Sequence, residues 1–139
     1  ARYDVSPLFR NEAFRGKVHR TGYVDEAALS ALYAHARALV FPSLYEGFGF
    51  PVLDAMAHGT PVLCSSRASL PEVAGDAALY VDPENTERFT DALLELARDD
   101  TLVRQLSECG RSRASAFTWR DTAERVTELY ETIASRGRP

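Results

Sequence analysis

Up to Val81 the chain alternates short runs rich in Val, Leu and aromatic residues with segments of helical period, and this alternation limits the fold more than any other feature. The runs Val18 to Val24, Ala38 to Pro42, Pro61 to Ser65 and Ala78 to Val81 predict strands. Leu29, Leu32, Tyr33 and Ala36 recur at i, i+3, i+4 and i+7, which predicts a helix over about residues 26–37 with that face against a sheet. Pro51 to His58 predicts a second helix, stopped by Gly59. Strands this apolar have no wet face, and a helix between each pair implies parallel pairing. The expected class is therefore α/β, a parallel sheet with helices on both faces.

From Thr86 onward only helical patterns remain, so the last third is expected to be helical. Phe89, Leu93, Leu96 and Ala97 form one set, and Leu102, Val103 and Leu106 another that runs to a stop at Gly110. Thr118 and Asp121 have the spacing of a capping box, with Thr118 accepting from the third amide. In the long helix that follows, Trp119, Ala123, Val126, Tyr130 and Ile133 lie in one stripe, whose expected duty is chiefly core packing. The polar stretch Ala1 to Lys17 reads as loop with a short helix, and residues 1–139 as one domain without a linker. Four strands are fewer than an open parallel sheet usually has. The sheet edges therefore call for strands from elsewhere in the protein or from a partner chain.

Charge and composition remove several classes of function. Sixteen basic against twenty acidic residues give a net charge of −4, which disfavours nucleic-acid binding. No apolar stretch approaches the ~20 residues that span a bilayer, and Ala1 to Arg10 lacks the apolar centre of a secretory signal, so the expected location is cytoplasmic. Cys64 and Cys109 fit neither a disulfide framework nor a metal knuckle, and His19, His35 and His58 are isolated, so no metal site is expected.

Chemistry concentrates between Phe41 and Leu63. A strand ends at Phe41-Pro42, a loop carries Glu46, Gly47 and Gly49, and a helix opens with Pro51 at a position where a missing amide costs nothing. Ligands of open α/β sheets bind beyond the carboxyl ends of the strands, where a helix N-terminus favours phosphate. The glycines complete neither a dinucleotide fingerprint, since Val52 stands three beyond Gly49, nor a P-loop, since no GK[ST] follows. Glu46 and Asp54 are separated by seven residues, and carboxylates of this kind suit vicinal diols. An elongated polyhydroxy ligand with anionic groups, such as a nucleotide sugar, has the matching shape.

The strings FPSLYEGFGFPVLDAMAHGTPVLCSS and LPEVAGDAALYVDP, with the FTW start of the last helix, resemble the C-terminal half of family 4 retaining glycosyltransferases. Those enzymes have the GT-B fold of two facing Rossmann-like domains, and the resemblance covers about Val18 to Ile133. It implies a nucleotide-sugar-binding domain, GDP- or UDP-linked mannose or glucose as substrate, a hydroxyl acceptor on a glycan or lipid-linked carrier, and neither metal nor other cofactor. Glu46 would match the family's first acid, which holds donor-sugar hydroxyls. Gly47, Phe48, Gly49 and Phe50 would contact sugar or phosphate. Asp54 would hold ribose in place of the usual Glu, one methylene shorter, and Tyr23 and Val24 would face the base. In the strand order 3-2-1-4-5-6 two strands, a basic pair and the N-terminal acceptor domain would lie outside these residues. The last helix would cross back to that domain, its Trp119, Val126, Tyr130 and Ile133 stripe covering a neighbour as well as its own core. A nucleotide-sugar epimerase of the same fold and a non-catalytic binding module are the alternatives.

The remaining polar groups receive plainer readings. Ser65, Ser66 and Ser69 lack a nucleophile elbow and read as a loop capping the Leu70 to Val73 turn. Glu72 reads as a helix-start acid. Arg111 and Arg113 read as part of a solvated helical face.

Overall fold

The structure, a computed structural model, describes residues 10–136. Residues 1–9, which hold most of the stretch read as N-terminal loop, and residues 137–139 lie outside that range. A single 3-10 turn, Glu12–Phe14, precedes the main elements. These are α1 (Glu26–His35), β1 (Leu39–Phe41), α2 (Phe50–Ala57), β2 (Val62–Ser65), α3 (Leu70–Ala74), β3 (Ala78–Val81), α4 (Thr86–Arg98), α5 (Asp100–Ser115) and α6 (Trp119–Arg136).

The three strands are parallel in the order β1-β2-β3, with Leu39 opposite Val62 and Val62 opposite Ala78. Side chains alternate between the sheet's two faces, so β2 feeds two cores. Val62 and Cys64 pack with Val52, Met56 and Leu70 from α2 and α3. Leu63 points the other way, onto Leu96 of α4 and Leu106 of α5. All four residues of β2 are buried, as expected of a strand covered on both faces. Helix α5 also crosses to the first layer, where Gly110 meets Met56. A Cβ at Gly110 would come 3.3 Å from Met56 Cγ. Gly110 is therefore not a helix stop. It lies inside α5, which runs on to Ser115, and the missing side chain lets two helices approach.

Three further expectations are corrected. Val18 to Val24 is not a strand, and Tyr23 is 97% exposed. A strand exists only where a ladder partner lies beside it. None of the described strands lies beside this segment, so it has no ladder to join. The apolar face of α1 is only partly covered. Tyr33 packs on the core and its carbonyl accepts from Thr60 Oγ1 at 2.6 Å, while Leu29 and Leu32 are exposed. The stripe on α6 is not core either: Trp119 is 82% exposed, and Val126, Tyr130 and Ile133 are exposed too. The stripe's helix nevertheless starts as the spacing predicts. Asp121 N donates to Thr118 Oγ1 at 3.0 Å, although the Asp121 carboxylate returns to the Thr118 hydroxyl rather than to a backbone amide.

The two thiols differ sharply. Cys64 is buried in β2, and burial pushes its thiol from near 9 up to about 12. Cys109 is exposed. A thiol reagent at pH 8 should label Cys109 in the native protein and Cys64 only after unfolding, which peptide mass spectrometry would read. Because the Cys64 pKa is raised on folding, the folded state holds a proton that the unfolded state releases between about pH 9 and 12. Its contribution to stability is therefore complete below pH 9 and is lost as the pH rises through that window. Labelling of native Cys64 at the rate of Cys109 would contradict the packing described.

Candidate active site

The loop from Pro42 to Gly49 leaves the carboxyl end of β1 and turns into α2. Ser43 Oγ lies 2.8 Å from Glu46 Oε1 and 3.1 Å from the Tyr45 carbonyl, and so fixes the half-buried Glu46 side chain from within the loop. The loop's main chain is held from outside. Ser69 Oγ lies 2.8 Å from the Phe48 carbonyl and 3.0 Å from that of Glu46. Ser69 makes no capping bond to α3, contrary to the sequence reading, because its hydroxyl is engaged by the main chain of this loop.

Gly49 closes the loop. It stands at the N-cap of α2 with φ at +108°, a left-handed conformation that glycine alone adopts freely. A Cβ there would lie 2.7 Å from Leu70 Cδ2. The first turn of α2 then bonds back to it, Val52 N to the Gly49 carbonyl at 3.0 Å and Leu53 N at 3.3 Å. The amides of Gly47, Phe48, Gly49 and Phe50 donate to no acceptor among the described residues. Phe50 opens α2 and the other three donors precede it in the loop; free amides beside a helix N-terminus favour negative charge, through hydrogen bonding and the helix dipole.

Asp54 is exposed, one turn into α2. Its carbonyl faces His58 Nδ1 at 2.8 Å, but its carboxylate has no hydrogen-bond or ion-pair partner among the described residues. It lines a hollow of about 440 Å³ with Phe48, Phe50, Leu53, Phe117, Thr118, Trp119 and Thr122. Glu46 is not part of that wall. The structure thus brings Glu46, Gly47, Phe48, Gly49 and Phe50 together on one loop and sets Asp54 beside the Phe48 and Phe50 rings. Tyr23 and Val24 make no hydrogen bond to the loop. No group of three or more His, Cys, Asp or Glu side chains able to hold a metal ion occurs among the described residues.

Two supports escaped the sequence reading. Phe48 packs on Phe50 with ring centroids 4.7 Å apart and meets Phe117 edge-on at 6.0 Å. Phe117 in turn lies under the Arg113 guanidinium, 4.9 Å from its ring centroid. Arg113 is not part of a solvated face: Nε donates to the Val73 carbonyl at 2.9 Å and Nη2 to that of Glu72 at 2.6 Å. It satisfies carbonyls at the end of α3 while bracing the aromatic cluster from behind. Arg111, though exposed, lies over Gly59 rather than in open solvent. Only the FTW string hinted at Phe117, and nothing local marks Arg113, whose acceptors lie 40 and 41 residues away.

A parallel sheet with a glycine-bearing loop and a helix N-terminus at its carboxyl edge has the place where open α/β sheets bind their ligands, and sequence relationships make the class specific. Residues 5–99 match the family described as Glycosyl transferases group 1, and the chain belongs to that family. It is 39% identical over 118 residues to O-antigen chain mannosyltransferase B of Escherichia coli, covering 85% of this chain and 31% of that protein. It is 37% identical over 123 residues to the MMP alpha-(1->4)-mannosyltransferase of Mycolicibacterium hassiacum, covering 86% of this chain and 30% of the relative. The chain therefore spans about a third of the length of these curated relatives. The solved sucrose-phosphate synthase of Thermosynechococcus elongatus superposes with a TM-score of 0.83 at 29% identity, over 96% of this chain and 34% of that one. The architecture is that of the C-terminal, Rossmann-like part of a GT-B glycosyltransferase. No described helix is long and apolar enough to cross a membrane.

Proposed function

We propose that this chain forms the donor side of a hexosyltransferase that moves mannose or glucose from a GDP- or UDP-linked donor to a hydroxyl of a glycan or lipid-linked acceptor, with retention at the anomeric carbon. The observation that carries this reading is the row of four unpaired amides leading into α2, beside a carboxylate held in place by Ser43. Glu46 orients the sugar through its hydroxyls. The amides of Gly47, Phe48, Gly49 and Phe50 receive the charge that builds on the departing diphosphate. Donors aimed at developing charge accelerate the reaction only insofar as they bind the transition state better than the ground state. Asp54, exposed and unpaired, is left for ribose, and Tyr23 and Val24 for the base. The two mannosyltransferases named above support mannose as the transferred sugar, and we take GDP-mannose as the first donor to test. The acceptor site, and cations to offset the pyrophosphate, belong on this reading to parts of the protein beyond these residues. The reaction would be cytoplasmic, at the membrane surface where the acceptor is lipid-linked.

A thermal-shift screen of the intact protein against GDP-mannose, UDP-glucose and ADP-glucose tests the reading. A ligand bound only by the native state at about 100 times its Kd stabilises by about 2.7 kcal/mol, a shift of several degrees. GDP-mannose is expected to give the largest rise. The absence of a rise with any of the three would defeat the proposal, and so would release of an epimerised sugar in place of transfer.

A further inference from the structure

We propose that Ser69 is a positioning residue for the donor loop, fixing the peptide planes whose amides meet the diphosphate. This inference rests on the donor-binding reading above. In a trans peptide the carbonyl and the following N–H point in opposite directions. Ser69 Oγ shares its single hydroxyl proton between the Glu46 and Phe48 carbonyls, at 3.0 and 2.8 Å, and so keeps both on its own side. The N–H groups of Gly47 and Gly49, which follow those carbonyls, are therefore turned to the opposite side. Each of the two planes ends in a glycine, the residue that resists rotation least. One half-buried hydroxyl thus sets two of the four unpaired amides.

The hydroxyl is aimed by its own loop. Ala68 stands at φ +54°, the one left-handed non-glycine among the described residues, and turns the chain between Arg67 and Ser69. Arg67 N donates to the buried Ser65 Oγ at 3.1 Å, and the Arg67 guanidinium pairs with Asp82 at 2.9 Å and with Glu84, both just beyond β3. Ser69 is consequently carried by a segment anchored to two strands. A serine at a helix N-cap ordinarily accepts from its own helix. Here it makes no such bond and is committed to the donor loop instead.

The test uses the intact protein with Ser69→Ala and Ser69→Thr, titrated with GDP and, by ligand-observed NMR, with guanosine; UDP and uridine form the second pair. Ser69→Ala is expected to weaken GDP about tenfold, the size of one lost hydrogen bond, and to leave guanosine unchanged. Ser69→Thr keeps the hydroxyl and is expected to restore the affinity for GDP. A general loosening of the domain would weaken diphosphate and nucleoside alike, and that result would overturn the proposal. Wild-type GDP affinity in Ser69→Ala would overturn it as well, as would a folded Ser69→Thr as weak as the alanine variant. A wild type that binds neither GDP nor UDP would defeat the donor reading and this inference together. Wild-type binding beside an unaltered Ser69→Ala would defeat this inference alone.

Discussion

Glu46→Gln should reduce hexose transfer by about a hundredfold while leaving the affinity for GDP nearly unchanged. The expected size follows from the chemistry of the exchange. A carboxylate accepting from sugar hydroxyls makes charge-assisted hydrogen bonds, roughly 1.5–3 kcal/mol each, and an amide in its place returns only part of that. Glutamine has nearly the same shape and can still accept from Ser43 Oγ, which lies 2.8 Å from Glu46 Oε1 in the wild type, so the loop should stay where it is. The diphosphate would still find the amides of Gly47, Phe48, Gly49 and Phe50, and affinity for the bare nucleotide should persist. Steady-state rates with GDP-mannose beside GDP titrations separate the two effects. A variant that loses nucleotide binding as much as turnover would show that Glu46 does not act on the sugar, and the division of labour along the loop would fall.

The parts of the fold that could be read in the sequence are those whose signal is local. β2 is a run of apolar residues buried on both faces, and Val62 to Ser65 leaves no other reading. Pro51 marks the start of α2 to within one residue, because its missing amide costs nothing there. The failures share a cause, which is dependence on something distant in the chain. Val18 to Val24 has the composition of a strand, but composition cannot supply a neighbour to pair with. Gly110 carries a stop signal that the packing of Met56 overrides. The Trp119 to Ile133 stripe has the period of a buried face, and period alone does not say what covers it.

The candidate site divides in the same way. Glu46, the two glycines and Asp54 were visible as a short motif on a strand, loop and helix. Their geometry was not, since Ser69 reaches its carbonyl partners across 21 and 23 residues and Arg113 reaches α3 across 40 and 41. Serine and arginine on loops and helix faces are ordinary surface residues in composition. What distinguishes these two is the carbonyls they meet, and those become neighbours only when β2 and β1 pair and α5 folds back.

Gly49→Ala should lower the stability of this domain by on the order of 3 kcal/mol, whereas Gly47→Ala, two residues earlier, should change it by less than about 0.5 kcal/mol. At Gly49 two costs add. An L residue at φ +108° is strained, and the new methyl would lie 2.7 Å from Leu70 Cδ2. Leu70 is fully buried among Val52, Met56 and Cys64 and has nowhere to withdraw. At Gly47 a methyl would meet nothing within 4 Å, so alanine should be accommodated in open space. The buried thiol gives a reporter confined to this core: the urea concentration at which Cys64 becomes reactive marks its opening, whatever other parts of the protein do. That midpoint should fall markedly for Gly49→Ala and stay near wild type for Gly47→Ala. Equal midpoints would mean that the turn into α2 is not wedged against Leu70, and the row of amides it orients would lose its structural basis.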